Sequence, residues 1–183
     1  MSKELVLPFT EAAEQVSAKV TLVGSAAEAV QKALAIIAEN NGHAVMAWAT
    51  PLLQSAGLEV AVRGASIAYT SADSSGTLAG WADIEVGITE ADYGIAETGS
   101  LVLFTGNGRP RLASLLPPVH IALLPISRLL PSLEAFFTNP AITRDLQSFF
   151  FVTGPSRTAD IEQTLTLGVH GPKSLHIFLI EKA

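Results

Sequence analysis

The chain has 183 residues, 49% hydrophobic and 15% charged, with a formal net charge of −6 and a pI near 5.1. That length suits one domain and is short for two, and the acidic balance offers no basic footprint for a nucleic acid. The absence of cysteine excludes disulfides, cysteine nucleophiles and thiolate-bound iron–sulfur clusters from these residues. No apolar run approaches the roughly 20 residues of a membrane span, and the first residues turn acidic too early for a secretory leader, so a cytoplasmic chain is expected.

In chain order, Glu11–Val23 reads as an amphipathic helix, with Ala12, Val16, Val20 and Val23 three or four apart. Ser25 followed by Glu28 is a capping-box start for a second helix carrying Ala29, Val30, Ala33, Leu34 and Ile37 on one stripe. Asn40-Asn41-Gly42 is a left-handed stop. Residues 1–40 are thus expected as helices packed on a single domain spanning 1–183. His43–Ala49 reads as a strand, Thr50-Pro51 opens a short helix ending at Ala56-Gly57, and Leu58–Val62 reads as the next strand. That strand–helix–strand rhythm, in a chain rich in glycine and proline, predicts an α/β fold with a parallel sheet.

Ser71–Gly80 is a small, polar loop. Val86–Glu90, Tyr93–Ala96 and Ser100–Thr105 read as short strands. The turn between the last two, Glu97-Thr98-Gly99-Ser100, combines a carboxylate, two hydroxyls and a turn-permitting glycine. Glu97 is the candidate catalytic base, and Thr98, Gly99 and Ser100 are candidate ligand contacts. Arg109, held between Gly108 and Pro110, suits close approach to an anion. Leu112–Leu116 reads as a helical turn, Val119–Pro125 as a central strand apolar on both faces, Ile126–Thr138 as a helix interrupted at Pro131, and Ala141–Gln147 as a further turn.

The densest polar stretch is Thr153–Pro172, set between the apolar runs Ser148–Val152 and Leu175–Ile180. Each run reads as a buried strand. Gly154 and Pro155 break the first, and Ser156, Arg157 and Thr158 then supply hydroxyls and a guanidinium before an expected helical turn with Asp160 and Glu162 near its start. With His170, these residues form a candidate anion-binding loop. The four histidines, His43, His120, His170 and His176, lack ligand-type spacing, so no metal site is expected. His43, His120 and His176 are read as packing residues.

Taken together, Ala96–Leu103, Ser114–Ile121, Gly154–Glu162 and Gly168–Pro172 resemble, in this order, the blocks of the lactate utilisation (LUD) domain family. The resemblance spans roughly Asp83 to Ile180 and implies a three-layer α/β/α fold with a mainly parallel sheet, like that of NagB, ribose-5-phosphate isomerase and the CoA-transferases. It also implies a part in oxidising L-lactate to pyruvate beside iron–sulfur lactate-utilisation subunits. A related subunit of the family carries a cysteine-rich C-terminal region, so this chain looks like the cluster-free member, with no cofactor of its own. The CoA-transferases place Glu-Asn-Gly where this chain has Glu97-Thr98-Gly99, so their thioester chemistry is not carried over.

The leading expectation is a subunit that binds a small carboxylate or other anionic ligand, with Glu97, Arg109 and the Ser156-Arg157-Thr158 loop converging on one pocket. The alternative is a stand-alone transferase or isomerase on a phosphorylated or CoA-linked small molecule, using Glu97 as nucleophile or base. A third reading is an interaction module that docks partner subunits through an apolar surface.

Overall fold

Val86–Glu90, Val119–Pro125 and Ser174–Lys182 form the middle of a six-stranded parallel sheet. The computed structural model describes residues 2–72, 81, 83–106, 108–143, 148–159, 165–167 and 171–182, with backbone alone for 2, 143, 157–159 and 165–167. Its regular elements are α1 (Val6–Gln15), β1 (Lys19–Ser25), α2 (Ala26–Glu39), β2 (Ala44–Ala47), α3 (Pro51–Ser55), α4 (Leu58–Gly64), β3 (Ala68–Ser71), β4 (Val86–Glu90), β5 (Tyr93–Ile95) and β6 (Ser100–Phe104). They continue with α5 (Leu112–Leu115), β7 (Val119–Pro125), β8 (Leu129–Leu130), α6 (Leu133–Phe137), α7 (Pro140–Thr143), β9 (Phe149–Val152), β10 (Arg157–Ala159), β11 (Leu165–Leu167) and β12 (Ser174–Lys182).

The large sheet has the order β1-β12-β7-β4-β2-β3. Every residue of β4 and β7 is buried, as strands covered on both faces must be. Helices flank it: α2 packs on β1, β12 and β7, and α5 on β4. The architecture is therefore α/β with a mainly parallel sheet. A second, four-stranded sheet of order β8-β5-β6-β9 stands beside it, with its own small core of Ile95, Val102, Phe136 and Ile142.

Local chemistry explains the helix boundaries. Ser25 Oγ accepts the Glu28 N–H at 3.2 Å, and Glu28 Oε2 accepts the N–H of Gly24 at 2.9 Å, the reciprocal pattern of a capping box shifted by one residue. Asn41 carries the left-handed stop (φ 51°). Thr50 Oγ1 caps α3 through the Leu53 N–H, with Pro51 at the first helical position.

Four expectations are corrected. Helix α1 ends at Gln15, where Ser17 turns left-handed (φ 68°), and Lys19–Ser25 becomes an edge strand paired with β12. Residues 1–40 thus contribute a strand as well as helices. Leu58–Val62 is helical: Leu58 and Val62 are buried four apart, Val60 points outward at 78% exposure, and Glu59 pairs with Arg63 at 2.8 Å. Ile126–Thr138 is cut by Pro131 into a 3₁₀ turn, the short β8 and α6, capped by Ser132. Arg157–Ala159 is extended and pairs antiparallel with Leu165–Leu167, as β10 with β11, while the helical turn expected around Asp160 and Glu162 lies outside the described residues. Phe149–Val152 does form a strand, but at the edge of the smaller sheet and half-exposed.

Candidate functional site

Adjacent parallel strands leave their carboxyl ends at one rim of the sheet, where the chain departs into loops and polar groups can face a hollow. Strand β4 ends in Glu90, which is 4% exposed, and Asp92 follows two residues later. Strand β2 leads into the buried Trp48, whose N–H bonds to Ile88 O at 3.0 Å, and then into Thr50. After β7 the 3₁₀ turn of 126–128 delivers Arg128. The Arg109 N–H donates to Gly106 O, and the Ala49 N–H donates to Gly108 O.

Two ion pairs line the resulting cleft of about 460 Å³. Arg128 Nη1 donates to Glu90 Oε1 at 2.6 Å and to Ala91 O at 3.2 Å. Arg109 Nη1 donates to Asp92 Oδ1 at 2.9 Å, while Asp92 Oδ2 accepts the Phe104 N–H at 2.7 Å. The Arg109 guanidinium also lies over the Trp48 ring, 4.7 Å from its centroid, and Trp48 Nε1 donates to Pro110 O at 3.0 Å. Arg109 is thereby held flat between an aromatic face and a carboxylate. Tyr93 and Phe104 supply apolar wall. A neighbouring hollow of about 500 Å³ shares Pro51, Glu90 and Arg128 with the first.

Burial raises the Asp92 carboxyl above the ordinary carboxylate range, opposed by the Phe104 N–H and by Arg109. In the core, His120 Nε2 is bonded to Thr89 Oγ1 at 2.8 Å, and complete burial lowers its pKa to about 3. His120 is therefore a neutral packing residue of the sheet. His176 is buried as well, whereas His43 is exposed. Among the described residues no group of three or more His, Cys, Asp or Glu is placed to hold a metal.

Of the residues singled out from sequence, Arg109 lines the cleft. Glu97 to Ser100 lie at the far, turn end of the β5–β6 hairpin. There Glu97 is exposed, and its Oε2 accepts the Leu133 N–H at 3.3 Å at the start of α6. Thr98 Oγ1 donates to Ser100 Oγ at 2.7 Å, and Ser100 Oγ bonds Thr153 Oγ1 at 2.6 Å. Gly99 has φ 63°, and a Cβ there would lie 2.2 Å from Ala13 N; one at Gly154, φ 78°, would lie 2.3 Å from Val16 O. Both turns thus press backbone to backbone against the end of α1. The Ser156 N–H donates to Pro172 O at 2.9 Å. Arg157 and Thr158 are placed by backbone in β10, while Asp160, His170 and residues 73–80 of the expected loop lie outside the described residues. The structure therefore joins the 97–100 turn to the 153–156 turn and leaves Arg109 at the other end of the hairpin.

Glu90, Asp92, Thr50 and Arg128 were not singled out. For Glu90 and Asp92 the signal was two acidic residues following Val86–Thr89 at a strand's carboxyl end, whereas nothing near Thr50 or Arg128 tied them to that rim.

Fold and cleft together define an α/β protein with a half-desolvated, ion-paired hollow at the carboxyl rim of a parallel sheet. The chain belongs to the LUD domain family, whose model matches residues 8–180. It is 33% identical to Lactate utilization protein C of Macrococcus caseolyticus over 168 residues, 88% of this chain and 72% of that protein. Over 99 residues it is 42% identical to the protein of the same name in Halalkalibacterium halodurans, covering 48% of this chain and 40% of that one. The matched stretch thus spans less than half of that relative. A crystal structure of a DUF162 family protein from Deinococcus radiodurans superposes with a TM-score of 0.71 over 98% of both chains at 20% identity, a likeness of fold alone.

Proposed function

We propose that this chain is a lactate-utilisation protein that binds a small carboxylate in the cleft at the ends of β2 and β4, beside iron–sulfur subunits that take up the electrons. The kinship with relatives named Lactate utilization protein C supports the pathway role. One observation carries the ligand assignment: two arginines, Arg109 and Arg128, line the same cleft, each oriented by its own carboxylate. A planar guanidinium suits a carboxylate bidentately, and a site that is half dry strengthens that contact.

Oxidising a 2-hydroxy acid to a 2-keto acid releases two electrons and two protons. These 183 residues contain no cysteine, so a thiolate-bound cluster that accepts the electrons has its ligands outside them. The chain's own part is to bind and orient the acid.

Calorimetric titration with L-lactate tests the reading. Arg109→Lys and Arg128→Lys keep the charges but lose the planar fork, and each is expected to weaken lactate binding by about 10-fold or more. Undiminished affinity in both variants, or no binding by the wild type, would remove the cleft as the site.

A further inference from the structure

Glu90 uses only half of its carboxylate. Oε1 accepts from Arg128 at 2.6 Å, whereas Oε2 is buried and has no hydrogen-bond partner among the described residues. Asp92, a few residues away, has both oxygens bonded. A buried acceptor without a donor is disfavoured, so such an oxygen in a site calls for a donor, which a ligand can bring in place of solvent. Glu90 is among the residues that line both the main cleft and the hollow beside it, so its carboxyl group stands next to both.

Resting on the reading that the cleft takes a small carboxylate, we propose that Glu90 Oε2 accepts a hydrogen bond from the ligand's 2-hydroxyl and so makes the site selective for a 2-hydroxy acid over the matching 2-keto acid. A hydroxyl can donate to a carboxylate oxygen. A keto oxygen carries only lone pairs and is repelled, and an acid unsubstituted at that carbon leaves Oε2 without a donor. Arg128 makes the arrangement reachable. Its side chain is 38% exposed, and its fork of five donors can hold Glu90 and a ligand carboxylate together. Because Oε2 is buried, the acid reaches it only where Arg128 moves aside to take the ligand carboxylate. The carboxylate and hydroxyl, on adjacent carbons, then meet the two members of one ion pair.

The test is calorimetry of the whole chain with L-lactate, pyruvate and propionate, on the wild type and on Glu90→Gln. The wild type is expected to bind lactate about 10-fold more tightly than either analogue, the scale of one hydrogen bond to a charged group. In Glu90→Gln, whose amide can donate to a keto oxygen, the preference for lactate over pyruvate is expected to fall to about threefold or less. Equal wild-type affinities for lactate and propionate, or a preference unchanged in the variant, would overturn the assignment. If Glu90→Gln fails to fold, Glu90→Asp, which draws the acceptor back by one carbon, is expected to lower the same preference, and a preference unchanged there would overturn the assignment. If none of the three acids binds the wild type, the carboxylate reading itself has failed, and the role of Glu90 falls with it.

Discussion

The β5–β6 hairpin has two ends built on opposite principles. At its turn, Gly99 brings backbone against Ala13 of α1, and the hydroxyls of Thr98, Ser100 and Thr153 satisfy one another. At its open end, Asp92 and Arg109 form a partly dry ion pair beside a cleft. Small and hydroxylated residues gather where two backbones must approach closely. Charged pairs gather where the frame leaves a hollow at the strand ends. A motif-rich turn and a ligand-sized cavity are thus separate features, linked here only by the length of one short hairpin.

The sharpest way to break that contrast is Gly99→Ala. The added methyl meets Ala13 backbone and forces a left-handed position on an L side chain, so a loss of about 3 kcal/mol or more is expected from overpacking and strain together. In a chain of this size that is a fall in melting temperature of roughly 6 to 12 °C. A melting curve close to the wild type's would show that the turn has room and is no packing device.

Next in size is the pH dependence. His120 titrates at about 3 in the folded chain, against roughly 6.5 unfolded. Because the folded state rejects the proton, the stability linked to His120 is present above about pH 6.5 and is lost as the pH falls toward 3. Asp92 has the opposite sign. Its folded pKa is raised, chiefly by burial, so its contribution is present at low pH and lost as the pH rises through that folded value, above the ordinary carboxylate range of about 4. Urea titrations across pH should show the acid arm flattened in His120→Gln. The small opposing slope should vanish in Asp92→Asn. An acid arm unchanged in His120→Gln would mean that the core histidine is not what acid attacks.

The smallest effect belongs to Glu97→Ala. Glu97 is exposed and makes one long hydrogen bond to an α6 that Ser132 already caps. About 0.5 kcal/mol or less of stability should be lost, with lactate affinity unchanged. Abolished binding in this variant would move the ligand site to the turn end of the hairpin.

Much of the fold was legible because burial leaves a plain mark on composition. Strands β4, β6, β7 and β12 stood out as apolar runs, and the start of α2 was signalled by Ser25 and Glu28. Two elements were misread because their periods are ambiguous. Val20 and Val23 fit helical spacing, yet the segment pairs along β12. Leu58, Val60 and Val62 alternate like a strand, yet the burial of Leu58 and Val62 four apart and the Glu59–Arg63 pair belong to a helix. The cleft was harder to see. Arg128 and Glu90 stand 38 positions apart, and Arg109 and Asp92 stand 17 apart. The acids at the end of β4 are visible locally, but no local pattern marks which arginine each one meets.

By itself, then, the sequence determined the α/β class, the central strands, the caps and the family resemblance, because each depends on neighbours within a turn or a strand. Only the tertiary structure decided which polar residues share a hollow. Strand order brings the ends of β2, β4 and β7 to one rim, and the hairpin holds Arg109 there while carrying Glu97 to its far end. Desolvation and pairing are properties of that shared space, and a linear chain does not display them.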